Sequence, residues 1–148
     1  MKISKRAEYG LTAMVHLAKS DKSASRILTD PSQSRPKASL VGNNKAISIR
    51  QISNIEGVPF EFLGKIFSSL EKGKLVVARH GASGGYSLAK SPNKIVVADI
   101  IELLEDIKTV NCQECIRSKK CLAKNVWGKI DKAVNKTLNS ITLAELIK

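Results

Sequence analysis

Cys112, Cys115 and Cys121 fall within ten residues in the spacing C-x2-C-x5-C, close enough for three thiolates to face one small volume. Soft thiolates select zinc, cuprous copper or an iron-sulfur cluster. The basic neighbours Arg117, Lys119 and Lys120 would lower the thiol pKa values and offset an anionic cluster. A closed zinc site normally shows four Cys or His ligands at regular spacings. No fourth ligand stands in this segment, and neither His16 nor His80 is near it in sequence. Free or redox-active thiols remain the other reading. Three cysteines packed this closely cannot make a disulfide framework, and a C-x-x-C oxidoreductase would need a βαβ context that the flanking residues lack. Enzymatic activity is not expected.

The elements around this segment must explain what it controls. The chain has 148 residues, enough for one domain plus an extra helix, with 25 Lys and Arg against 13 Asp and Glu, a formal net charge of +12. That charge calls for a polyanion. Nucleic acid is the first candidate, because each phosphate neutralised releases counterions and adds affinity. An anionic membrane surface or an acidic protein is the alternative. No apolar run approaches a membrane span, and Met1 to Arg6 is not followed by a signal-type apolar stretch, so a cytoplasmic protein is expected.

Ser4 suits a helix cap, with Glu8 in the first turn and Leu11, Met14, Val15 and Ala18 at helical spacing, which predicts a helix over residues 4–19. Residues 20–46 hold six Ser, two Pro and Gly42-Asn43-Asn44 without any period, and read as a flexible, solvated insertion with no assigned function. Ser48-Ile49-Arg50-Gln51 has the form of a capping box, Ile49, Ile52 and Ile55 give a short apolar face, and Gly57 is a stop. Pro59 then opens a helix with Leu63, Ile66, Phe67 and Leu70 on one side, ending at Gly73. Two helices across a tight glycine turn make a helix-turn-helix. Leu75 to Arg79, the glycine-rich run His80 to Gly85, and Tyr86 to Ala89 read as a hairpin, the wing of a winged helix. A helix over residues 95–105 follows. From Leu122, the positions Val126, Ile130, Val134, Leu138 and Ile141 recur about every fourth residue, and Thr142-x-x-Glu145 opens a terminal turn. The expected fold is mainly α with a small β-hairpin.

In a winged helix the second helix of the motif enters the major groove by its N-terminal residues, and the wing reaches backbone or minor groove. Those positions are Glu61, Phe62 and Lys65, with Arg79, His80 and Ser83 on the wing. The starts of the first helix (Ser4, Lys5, Tyr9) and of the second (Arg50, Gln51) complete the candidate DNA-binding set. Each has a bland reading too: Phe62 as core, Glu61 as a helix-dipole partner, Lys65 as a solvated charge. His16 reads as structural.

Taken together, Lys2 to Tyr9 with Thr12-Ala13-Met14, the wing His80-Gly81-Ala82-Ser83-Gly84-Gly85-Tyr86, the segment Cys121 to Trp127, and Asn139-Ser140-Ile141-Thr142-Leu143 make a chain that resembles the IscR/NsrR family of bacterial winged-helix iron-sulfur transcription regulators. The match spans nearly all of it except residues 20–46. The resemblance implies a DNA-binding domain over residues 1–95 and, over residues 96–148, a cluster-binding loop and a long C-terminal dimerisation helix. It further implies a homodimer on a pseudo-palindromic double-stranded operator and a two-iron or four-iron cluster held by Cys112, Cys115 and Cys121. Glu8 matches an acidic residue that completes the cluster of the other subunit in some members, though it equally suits the helix dipole. Four features depart from the family. The first cysteine spacing is x2 where cluster-binding relatives usually have x5. Lys124 stands where a histidine often follows the last cysteine. His80 and Gly64 replace a wing arginine and, in at least one relative, a base-facing glutamate. A regulator of the same fold without a cluster, controlled by a metabolic partner protein or by cysteine oxidation, is the alternative, and a basic structural nucleic-acid binder is a third class.

Overall fold

Ser48 starts the second helix. In the computed structural model, which describes residues 3–27, 45–82, 84–107, 112, 114–117 and 119–148, its hydroxyl accepts the Gln51 N–H at 3.1 Å while its own N–H donates to Gln51 Oε1 at 2.9 Å. This reciprocal cap satisfies two otherwise orphaned donors. Helix α1 spans Lys5–Ile27, α2 Ile49–Glu56 and α3 Phe60–Lys72. Gly57, at φ 65°, supplies the left-handed turn between α2 and α3. Leu63, Ile66, Phe67 and Leu70 of α3 are buried as their spacing predicts. Gly73 ends α3 for a different reason. Its φ is −76°, the left-handed residue is Lys74, and a Cβ at Gly73 would collide with Leu103.

Strands β1 (Val76–Arg79) and β2 (Gly85–Leu88) pair antiparallel, with Val76 opposite Leu88 and Arg79 opposite Gly85. Ile47 adds a bridge to the hairpin, exchanging hydrogen bonds of 2.9 and 2.8 Å with Tyr86. Gly85, at φ 155°, leaves room for that contact, since a Cβ there would meet the Ile47 carbonyl. The wing is thereby fastened to the chain entering α2.

Ser4 caps α1 by accepting the Ala7 N–H at 3.2 Å. The helix does not stop at residue 19 as expected but continues over residues 20–27. No Gly or Pro interrupts the chain before Pro31, and the Ser20 hydroxyl donates to the Lys45 carbonyl at 3.1 Å, tying the helix to the start of the next described stretch. The remainder of the expected insertion, residues 28–44, lies outside the described residues.

The core lies where α1, α3, the hairpin and α4 (Val97–Leu104) meet, around Met14, Leu17, Leu63, Phe67, Ile95 and Ile100. Burying each large aliphatic side chain contributes on the order of 1.5–3 kcal/mol. Helix α5 (Lys124–Ser140) is shorter than the stripe from Leu122 to Ile141, and none of its residues is buried. Beyond it the chain returns to the core: Leu143 is fully buried and its N–H donates to the Ile95 carbonyl at 2.8 Å. The Thr142 N–H donates to Glu145 Oε2 at 2.9 Å, one half of the expected cap on the terminal turn. No helix among the described residues is long and apolar enough to cross a membrane.

Candidate nucleic-acid interface and cysteine segment

The outer face of α3 begins with Phe60 and Glu61 and continues through Lys65, Ser68 and Lys72, all exposed. Phe62 has a share in both faces: it lines the open groove beside Glu61 and Lys65. It packs half-buried against the core with its ring edge-on to Tyr9 at 6.0 Å between centroids. Tyr9 in turn carries Lys5 Nζ 5.5 Å from its ring centre, and Lys5 pairs with Glu8 at 2.8 Å. The hydrogen bond and charge of Glu8 raise the Lys5 pKa above its ordinary value. The exposed aromatic on α3 is therefore Phe60, which pattern reading passed over. The Arg50 guanidinium lies above its ring.

The other candidates are placed as follows. Gln51 is exposed, but its amide oxygen is engaged in the α2 cap. Arg79 donates through Nε to Ser87 Oγ at 3.2 Å, which holds it along the wing, and His80 is exposed beside it. Ser83 lies outside the described residues. Arg6, not foreseen, donates to Ser69 Oγ at 2.6 Å and lines an open groove with Lys65, Ser68 and Lys72. His16 joins α1 to α2 through Glu56 at 2.5 Å, a structural role as its position suggested.

All three cysteines are free, Cys115 exposed and the other two half-buried. Cys112 shares a shallow cavity with Lys124, Asn125, Lys129 and Lys132 of α5. Among the described residues no three His, Cys, Asp or Glu side chains are grouped so as to hold a metal ion. The donor types and the surrounding lysines suit an anionic thiolate-bound group, whereas the described residues of a single chain do not close a ligand set.

Compared with known proteins, residues 38–148 match the Rrf2 family model, described as an iron-dependent transcriptional regulator. The chain belongs to the Rrf2 family. It is 34% identical over 112 residues to protein rrf2 of Nitratidesulfovibrio vulgaris, covering 72% of this chain and 75% of that protein. Its fold is similar to that of T. potens IscR, at TM-score 0.72 and 28% identity over 99% of this chain and 86% of that one. It is equally similar to CymR, the global cysteine regulator of B. subtilis, at TM-score 0.75 and 29% identity over 99% and 96% of the two chains. The chain is a DNA-binding transcription regulator of winged-helix fold, and not an enzyme.

In this Rrf2-family chain a long-range hydrogen bond links the head of α1 to the end of α4. The Ser4 N–H at the head of α1 donates to Glu105 Oε2 at 2.8 Å, across 101 residues of sequence. Glu105 directly follows α4, at the start of the stretch that leads to the cysteines. The carboxylate also suits the positive end of the α1 dipole. Glu105→Ala is expected to lower unfolding free energy by about 1 kcal/mol, with Glu105→Gln between it and the parent because an amide oxygen still accepts the bond. Urea melts of the three proteins check this, and coincident melts would remove the link.

Proposed function

We propose that this Rrf2-family regulator is a cytoplasmic homodimer that binds a pseudo-palindromic operator, and that chemistry at Cys112, Cys115 and Cys121 sets its DNA affinity. The observation that carries this reading is the position of the three thiols. They lie on the segment between Glu105, bonded to the head of α1, and the free apolar end of α5. A change of state there acts on a DNA-facing helix and on a dimer face together. In this reading residues 1–95 form the DNA-binding domain and residues 96–148 the sensing and dimerisation part.

The favoured sensor is an iron-sulfur cluster, in keeping with the family's iron-dependent description. Cys112, Cys115 and Cys121 would hold it, with two or four irons. When bound, such a cluster supplies reversible one-electron chemistry and sensitivity to oxidants. Glu8 is the proposed fourth ligand, given by the partner protomer. Its pair with Lys5 joins two exposed side chains, and surface pairs of this kind contribute little, so Glu8 is free to exchange it for a stronger partner. The DNA contacts in this reading are Ser4, Lys5, Tyr9, Arg50, Gln51, Glu61, Lys65, Arg79, His80 and Ser83. Phe62, half-buried against Tyr9 and lining the groove beside Lys65, joins them in this reading.

Direct oxidation of the thiols is the second reading. It is favoured by the exposure of Cys115 and by the absence, among the described residues, of a grouped ligand set. Protein purified without oxygen separates the two. Visible charge-transfer absorption with matching iron and sulfide supports the cluster. A colourless protein that reconstitution leaves colourless favours the thiol switch.

A further inference from the structure

Phe60 is the first residue of α3 and stays 48% exposed, although the core lies one turn away. Arg50, an exposed residue in the first turn of α2, sets its guanidinium carbon 5.4 Å from the Phe60 ring centre. Cation–π contact at this range holds a guanidinium near the ring and restricts an otherwise mobile side chain. Guanidinium is weakly hydrated and presents donors in a rigid fork, so it can meet a base edge with little desolvation. In a helix-turn-helix the N-terminal end of the second helix enters the major groove, where arginine pairs with guanine O6 and N7, and apolar side chains contact the thymine methyl.

We propose that Arg50 and Phe60 act as one specificity element. Phe60 takes the C5 methyl of a thymine, and Arg50 takes the O6/N7 edge of the guanine beside it. Phe60 fixes where the guanidinium sits, so the two bases are read as a unit. The inference rests on the operator-binding reading and deepens it.

The test begins with selection from a randomised DNA duplex library by the full-length parent protein, which is expected to enrich a half-site with adjacent thymine and guanine. Replacing that thymine by uracil deletes only the methyl and should weaken parent binding about fourfold. Replacing the guanine by 7-deazaguanine should weaken it about tenfold. Phe60→Ala should lose the uracil effect while keeping the parent's salt dependence on random-sequence duplex, which also shows that it is folded. Phe60→Leu should keep the uracil effect and tolerate substitution of the guanine, because its side chain offers the methyl an apolar surface but gives Arg50 no ring. A Phe60→Ala protein that enriches the parent motif with the parent uracil penalty overturns the proposal. A parent that binds every duplex alike overturns the operator reading itself, and the proposal with it.

Discussion

Val126→Glu with Ile130→Glu is expected to yield a folded monomer whose affinity for its operator is at least a hundredfold below the parent's. Val126 and Ile130 are 55% and 36% exposed, and Leu122, one turn earlier in the stripe, is fully exposed. At the other end of the stripe Leu138 and Ile141 pack against the core. The free end thus lacks the 1.5–3 kcal/mol that burial of each such side chain contributes elsewhere, and in the homodimer proposed above a second α5 supplies it. Glutamates there place like charges across the two-fold axis. Because no residue of α5 is buried within the chain, the substitutions leave the protomer intact. DNA affinity falls because joining two modules makes the second half-site contact intramolecular, worth a factor of about 10² to 10⁴. Sedimentation, circular dichroism and operator binding read the three parts of this expectation. A dimer with parent affinity would move the interface away from α5.

The second large effect is on regulation. Replacing Cys112, Cys115 and Cys121 together by alanine should leave fold and dimer unchanged, since the thiols are half-buried or exposed, outside the helices and the core. It should abolish the response of DNA affinity to iron, sulfide and oxidant. A tenfold response in the parent corresponds to about 1.4 kcal/mol and a near-complete switch to about 5.5 kcal/mol of differential stability. In the triple variant the ratio of affinities between the two conditions should collapse to about one. Binding assays on protein handled without oxygen and after oxidation measure both ratios side by side.

How much could be read in advance depended on how local the signal was. The Ser48–Gln51 cap, the Gly57 turn and the buried side of α3 were legible because each is set within a few residues. The run of α1 beyond residue 19 was not, because a Ser-rich stretch carries no apolar period, and one of its tethers is a bond to Lys45. The choice between Phe60 and Phe62 as the outward aromatic could not be made from spacing. Both flank the buried stripe, and the packing of Phe62 against Tyr9 leaves Phe60 the more exposed of the two. The Ser4–Glu105 bond and the Arg6–Ser69 bond join residues 101 and 63 positions apart, beyond any local pattern. The cysteine spacing points to thiolate chemistry, but convergence of ligands depends on what they bind and, in the proposed homodimer, on the partner protomer, neither of which spacing encodes.

The account stands most directly on one titration: binding of the parent protein to the duplex it enriches from random sequence, measured anaerobically on reduced, iron- and sulfide-reconstituted protein and again after oxidation. The prediction is a change in affinity of at least tenfold, reversed on re-reduction and reconstitution, and absent from the triple cysteine variant. Equal affinity in every state, with the dimer intact, would contradict the claim that the cysteine segment controls the DNA-binding face.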